Sequence, residues 1–407
     1  MLPSRTISVL ALIFVLNSLA IAQQLGFDFQ PGQDFYRQTT AKRVQRELNC
    51  LQLVAGISDQ QRDTVLEKLD SAINERAAEL VKQQRVIMFN AAPLPKSLLN
   101  AIAVEAKQVI PLQAFQAYEA DVLMRQQFQR RAGQCGFLST MDSLLQLSDT
   151  RQTGIAKVLT DNWDDEWITF SSLAVAQPVT GIMMIRKQLK ELPQEKLKAN
   201  LSESQCAALE GIMSLDPAAA TNRAAFGELQ GKTVGLLKLE EMTELCELSE
   251  EQITKLKTPM ATARKESVER IRKAWQQNPN IQPNAETSVD MSVPIDRMMF
   301  LQDSWTKAID RILSKEQIEK YNARQQSRIK RNFAMLAGLK VTSYESLAGG
   351  LTGKQQVALA KLFEKHLNEN RADLQTQIAT AIPHAEYKAL LNEDQWQKLS
   401  AVIESMQ

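Results

Sequence analysis

The stretch Leu313-Ser314-Lys315-Glu316-Gln317 reads as the start of a helix. A Ser side chain at the N-cap accepts a bond from an orphan backbone N–H. A Gln three residues on reaches back to the N–H of the cap itself. An aliphatic residue just before the cap can staple onto the fifth residue after it, here Ile318. The same spelling recurs as Leu201-Ser202-Glu203-Ser204-Gln205, Leu248-Ser249-Glu250-Glu251-Gln252, Leu351-Thr352-Gly353-Lys354-Gln355 and Leu391-Asn392-Glu393-Asp394-Gln395. Ile57-Ser58-Asp59-Gln60-Gln61 fits as well, and Leu147-Ser148-Asp149-Thr150-Arg151 keeps everything except the Gln. Each cap contributes about 1 kcal/mol of helix stability. The pattern therefore predicts helix N-termini at Ser58, Ser148, Ser202, Ser249, Ser314, Thr352 and Asn392 rather than ligand sites.

Helical periodicity follows most of these caps. Val65, Leu66, Leu69, Ile73, Ala77 and Leu80 follow Ser58, and Val357, Leu359, Leu362, Phe363 and Leu367 follow Thr352. Steps of three and four mark one buried stripe per helix. Alternating runs of strand type are hard to find. The exception is 168–185, with Pro178 and Gly181, which is either a hairpin or two helices with a break; helix is the preferred reading. The expected fold class is all-α.

The modules themselves repeat in order. Ile57 aligns with Leu248 at an offset of 191, Tyr118 with Tyr321 at 203, Leu147 with Leu351 at 204, and Leu192-Pro193 with Ile382-Pro383 at 190. The shifting offset places extra residues in 276–294 of the second half and 169–187 of the first. The expected organisation is a tandem duplication: a first helical unit over 23–213, a connecting segment over 214–235 with Pro217, Gly227, Gly231 and Gly235, and a second unit over 236–407.

Residues 1–22 read as a cleaved export signal. Arg5 is the sole charge ahead of an apolar stretch from Val9 to Leu16, and Ala20-Ile21-Ala22 offers a small-x-small exit. The expected location is periplasmic or extracellular, with no stable membrane anchor after cleavage. The chain has 407 residues, 44% of them hydrophobic, which excludes a disordered chain. Lys plus Arg is 48 against 47 for Asp plus Glu, so no basic surplus steers it to nucleic acid. In an oxidising compartment Cys50, Cys135, Cys206 and Cys246 are candidates for one or two disulfides, or for small buried apolar residues. Four cysteines allow three pairings, and the sequence does not choose among them.

The Leu-Ser/Thr-x-x-Gln pattern resembles the LTxxQ motif of the periplasmic Spy and CpxP type proteins. Those are small all-helical stress proteins, among them an ATP-independent chaperone. The longer pattern from Tyr321 to Gln355 joins a Tyr, a basic helix and a second Leu-Thr-x-x-Gln. It looks like the uncharacterised exported helical proteins of planctomycete type. The resemblance implies an exported helical protein and delivers no activity. The chain departs from the small chaperones in being more than twice their size.

Enzyme chemistry finds little purchase. His366 and His384 are the two histidines, and no HExxH, GxSxG, GxGxxG or GxxxxGK[ST] occurs. No cofactor and no metal ligand set is expected. Trp163 and Trp167, one helical turn apart, read as a core pair, with Asp161 and Asp165 on a solvated acidic face. A weak cation site there is the sharper alternative. The basic helices after Tyr118 and Tyr321, with Arg125, Arg130, Arg131, Arg324, Arg328 and Arg331, are either solvated or paired with nearby Glu and Asp, or else open to an anionic partner. Trp275, Trp305 and Trp396 read as core. The expectation is a non-enzymatic exported binding or structural protein with an unknown protein partner; the alternative is an ATP-independent chaperone acting on unfolded clients.

Overall fold

The computed structural model describes residues 32–82, 94–165, 167–168, 170–171, 181–214, 223–276, 300, 302–369 and 382–405. Every regular element among them is a helix. In chain order these are α1 (Gln33–Ala55), α2 (Asp59–Lys68), α3 (Asp70–Lys82), α4 (Lys96–Val109), α5 (Leu112–Leu145), α6 (Asp149–Asp161), α7 (Gly181–Glu191) and α8 (Gln194–Lys198). Then follow α9 (Glu203–Ser214), α10 (Arg223–Cys246), α11 (Glu250–Gln276), α12 (Asp303–Ile312), α13 (Lys315–Leu347), α14 (Gly353–Glu369), α15 (His384–Lys388) and α16 (Glu393–Ser405). The chain is all-α, as its capping pattern predicts.

Helix lengths recur in the same order. α1 and α10 have 23 and 24 residues, α5 and α13 have 34 and 33, and α8 and α15 have five each. Both five-residue helices open behind a proline, Pro193 and Pro383, whose missing N–H is no loss at a helix start. The turns repeat too. Gly56 and Glu247, 191 apart, both take the left-handed conformation that ends a helix, at φ 66° and 53°. Gln146 does the same at φ 50°, ahead of Leu147-Ser148, as do Gly349 and Gly350, at 77° and 114°, ahead of Leu351-Thr352.

The chain forms two compact units, one of residues 1–133 with 333–407 and one of 134–332. In the first, Val44, Leu48, Leu51, Val65, Ile73, Ile102 and Phe115 form one apolar cluster, and Val341, Tyr344, Leu359, Phe363, Tyr387 and Trp396 another. In the second, Met242, Leu256, Trp305, Ile309 and Tyr321 cluster, and Phe137, Met141, Ile155, Leu159, Ile185 and Leu197 are buried. This division differs from the consecutive units expected at 23–213 and 236–407. The reason lies in α5 and α13. Each runs for more than thirty residues without a proline or a left-handed glycine to stop it. Each therefore starts in one compact unit and ends in the other.

The connecting segment also shrinks. α10 begins at Arg223, so Gly227, Gly231 and Gly235 lie inside a helix, where each costs about 1 kcal/mol relative to Ala. Of the doubtful stretch 168–185, residues 168, 170 and 171 are helical and α7 starts at Gly181; 172–180 lie outside the described residues. The export signal, the expected insertion from 277 onward and Pro217 lie outside them as well.

Candidate functional site

The repeated Gln is the residue the fold uses most systematically. Six capping boxes form: at Ser58/Gln61, Ser202/Gln205, Ser249/Gln252, Ser314/Gln317, Thr352/Gln355 and Asn392/Gln395. In each, the Gln Oε1 accepts the N-cap N–H, and the Ser, Thr or Asn oxygen accepts the Gln N–H. The other end of each amide leaves the box. Nε2 of Gln61 donates to the Val109 carbonyl at 3.1 Å, that of Gln252 to Ile312 at 3.0 Å, and that of Gln317 to Cys246 at 2.9 Å. Gln205 reaches Leu145 at 2.8 Å, Gln355 reaches Leu390 at 3.1 Å, and Gln395 reaches Gly350 at 2.7 Å. Val109, Ile312, Cys246 and Leu145 are the last residues of their helices, where carbonyls lack intrahelical partners. One amide thus serves the N-terminus of its own helix and the C-terminus of another. The amides also pair, Gln252 with Gln317 and Gln355 with Gln395.

Ser148 departs from the expectation. It holds the extended N-cap conformation but makes no side-chain cap bond. Its hydroxyl donates instead to Glu244 Oε1 at 3.2 Å, since no Gln follows to complete a box. Arg151, in the Gln position, donates to Gln205 Oε1 at 2.6 Å.

On the basic helices Arg125, Arg324, Arg328 and Arg331 are paired with carboxylates. In the 134–332 unit, Arg328 makes a two-point contact with Asp142 at 2.8 and 2.9 Å and donates to Glu241 at 3.1 Å. Arg324 donates to Glu241 at 3.0 Å, and also to Asp149 and the Leu147 carbonyl. Arg331 donates to Asp142 at 2.9 Å, and Lys238 to Glu241 at 2.7 Å. Lys238 lies 5.3 Å from the Tyr321 ring centre and 5.5 Å from that of Phe300. Asp142, Glu241, Lys238 and Arg324 are all buried. Burial alone raises a carboxyl, yet the guanidinium of Arg328 beside it holds Asp142 below its ordinary value. Burial also works upward on Glu241, and Lys238 and Arg328 bring it down. Burial pushes Lys238 down to about 8, with Arg328 assisting and Glu241 opposing.

The other unit carries a sibling arrangement. Arg125 grips Glu47 at 2.5 and 2.8 Å and Asp121 at 2.8 Å, while Tyr118 Oη donates to Glu47 at 2.8 Å. Burial works against the Glu47 charge, and Arg125 and Tyr118 overcome it, so its carboxyl sits below the usual range. Asp121 also accepts the Gly353 N–H at 2.7 Å, serving the first turn of α14. Glu345, bonded by Gln129 at 2.5 Å, is raised by burial. Arg43, Arg46, Glu47, Arg125, Gln129 and Glu345 line a cavity of about 30 Å³. That is about the volume one water occupies in the liquid.

No family model matches this chain. No curated protein and no solved structure matches it either. The chemistry must therefore be argued from the residues. Among the described residues no group of three His, Cys, Asp or Glu is placed to hold a metal, and no helix is long and apolar enough to cross a membrane.

The remaining candidates resolve individually. Cys50, Cys135, Cys206 and Cys246 are all thiols with no disulfide between them. Cys50 and Cys246 are buried, the small-apolar alternative, and burial raises both. His366 Nε2 meets Glu386 at 3.2 Å, and His384 packs edge-on to Trp396 at 5.0 Å. Trp163 and Trp167 do meet, edge to face at 5.6 Å, with Phe137 at 6.2 Å from Trp167. They are not on one continuous helix, because α6 stops at Asp161 with Asn162 as its cap. Asp161 and Asp165 consequently share no helical face. Trp305 and Trp396 are buried, as expected.

Sequence reasoning missed Glu47, Asp142, Lys238, Glu241 and Glu345. Lys238 between Leu237 and Leu239 is the plainest signal.

Proposed function

We propose that this chain is an exported, non-catalytic helical protein that serves as a structural or binding scaffold. The observation that carries this reading is the internal use of its most distinctive polar groups. The repeated glutamines bond at both ends of their amides within the fold, and Arg125, Arg324 and Arg328 are bound by carboxylates. Groups committed this way position helices and are not poised for proton transfer or nucleophilic attack. The recurrence of helix lengths and left-handed turns supports a tandem duplication of one helical module.

The second reading, an ATP-independent chaperone, is favoured by one surface. In the 134–332 unit a groove of about 480 Å³ is lined by Leu236, Leu239 and Ile253 together with Arg151, Glu240, Glu244 and Lys257. Leu236 is 62% exposed. An accessible aliphatic lining among charged side chains suits transient apolar segments. The deciding experiment is aggregation of an unfolded client, without ATP, at near-equal molar ratio. Absence of suppression across several clients supports the scaffold. Suppression that Leu236→Ser abolishes, against an inert protein of equal mass, supports the chaperone and sinks the scaffold as the main role.

A further inference from the structure

α5 and α13 carry one pattern in two copies. Tyr118 is followed seven residues later by Arg125, and Tyr321 by Arg328. Seventeen residues beyond each Arg stands a carboxylate, the buried Asp142 on α5 and the half-buried Glu345 on α13. The two copies use this pattern by exchange. In the 134–332 unit, Arg328 of α13 binds Asp142 of α5. In the other unit Glu345 of α13 is bonded by Gln129, one turn past Arg125 on α5. Within this unit, residues 121, 129 and 132 of α5 face 353, 345 and 338, an antiparallel run. Within the 134–332 unit, Ser139 bonds Asn332 at 2.9 Å, ahead of Asp142 and Arg328.

The buried charge network of the 134–332 unit lies on this exchange. Arg324, Arg328 and Glu241 come from the second half of the chain, and Asp142, Asp149 and Leu147 from the first. In the other unit Asn49 donates to the Gly349 carbonyl at 2.8 Å, and Asp121 accepts from Gly353. A Cβ built on Gly338 would stand 3.1 Å from that of Ala132, so the two helices approach closely here and a side chain at 338 would press on Ala132.

We infer that the two consecutive halves, 32–214 and 223–405, are an exchanged pair: each compact unit is itself an interface between the halves, and the partner of each half is the other. Across the halves, Asp142 and Asp149 of the first are bound by Arg324, Arg328 and Arg331 of the second. A half released alone would leave Asp142 without Arg328 and Arg331, a cost of several kcal/mol if it stayed buried, and would leave Arg324 and Arg328 with Glu241 as their shared carboxylate. The peptide bonds joining the halves are therefore dispensable once the protein has folded.

The test cuts the folded chain. A protease recognition sequence flanked by Gly-Ser spacers is inserted after Pro217, and helical content is checked before cleavage. After cleavage the two fragments should elute together at the size of the uncut protein and separate only in denaturant. Elution as two folded species of about half that size would overturn the inference. A second measurement does not need the insertion. In the Ala132→Cys, Gly338→Cys variant, the Cβ separation is close to the disulfide range of about 3.5–4.5 Å. Oxidation should link the two positions, giving a faster-migrating band without reductant and a normal band with it. Failure to link, against a control carrying only the native cysteines, would count against the exchange. Both readouts are independent of client aggregation, so either proposal can fall without the other.

Discussion

Gln252 Nε2 donates to Gln317 Oε1 at 2.9 Å, joining two helix N-termini that lie 65 residues apart in sequence. Each amide also caps its own helix, and each reaches the last carbonyl of another helix, Ile312 for Gln252 and Cys246 for Gln317. The motif is usually understood as a local signal, because two bonds of the box lie within four residues. Here its third bond is long-range, and that bond orients one helix against another.

The distinction predicts an asymmetry between Gln and Glu. In an ordinary capping box Glu serves as well as Gln. Glu has no N–H to give, so Gln317→Glu should destabilise the protein by about 1–3 kcal/mol through the Cys246 carbonyl left unbonded. A urea titration measures this. A Glu variant as stable as the parent would show that capping alone matters. The double variant Gln252→Ala, Gln317→Ala should be less destabilised than the sum of the single changes, by about 0.5 kcal/mol or more.

Glu241 and Lys238 touch, yet they should respond very differently to removal. Glu241 is held by Arg324, Arg328 and Lys238. Glu241→Gln leaves those cations short of one buried counter-charge, with an expected loss of about 3–5 kcal/mol. Lys238→Met leaves Glu241 with both arginines and puts an apolar chain beside Tyr321 and Phe300. Its expected effect is under about 1.5 kcal/mol in either direction. Comparable losses for the two variants in chemical denaturation would refute this hierarchy.

Lys238 also sets an alkaline signature. Its folded value of about 8 lies below its ordinary 10.5. Between those values the unfolded chain holds the proton that the folded chain has released. The contribution of Lys238 to stability therefore rises with pH through that window. Lys238→Met should lose this rise, seen as a flatter melting temperature against pH from 8 to 10.

Acid acts in the opposite sense. Glu47, Asp142 and Glu241 are held below their ordinary values of 4.5, 3.8 and 4.5. Their stabilisation is present above those values and is lost as pH falls below them, because the unfolded chain then binds protons first. The melting temperature should drop steeply below about pH 4.5. Glu47→Gln, though less stable at neutral pH, should show a shallower drop. An equal slope in that variant would remove Glu47 from the account.

Glu247 and Gly350 make a pair of backbone predictions. Glu247 sits at φ 53°, where its counterpart is Gly56. Glu247→Gly should stabilise by about 1 kcal/mol, having no Cβ strain to carry. Gly350→Ala should destabilise by more than about 2 kcal/mol. Its new methyl would meet the Arg46 carbonyl at 2.8 Å and Cys50 Sγ at 3.0 Å. Thermal melts of both variants check the signs.

Helix class and starts were legible because capping is local: Ser314, Lys315, Glu316 and Gln317 contain all that a box needs. The reach of Gln317 to Cys246 was not legible, since it depends on where another helix ends. The fate of the arginines was half legible. Their pairing with carboxylates was among the readings, but the partners Glu47, Glu241 and Asp142 lie 78 to 189 residues away. The pairing of Trp163 with Trp167 survived a wrong premise, because Asn162 ends the helix while the turn still brings the rings together. The division into compact units was invisible for a different reason. Similarity between two halves shows that each contains the same modules, and it does not show which module packs on which.

Arg151 has a wider consequence. It occupies a Gln position, shares no functional group with an amide, and still places an N–H on Gln205 Oε1 where Gln355 places one on Gln395. What the repeat preserves is the address of a donor, and the letter that supplies it is free to drift. A pair of modules that has lost one of its two Gln can therefore keep the joint as long as the other supplies the oxygen, and would pass unnoticed by anyone reading for the word alone.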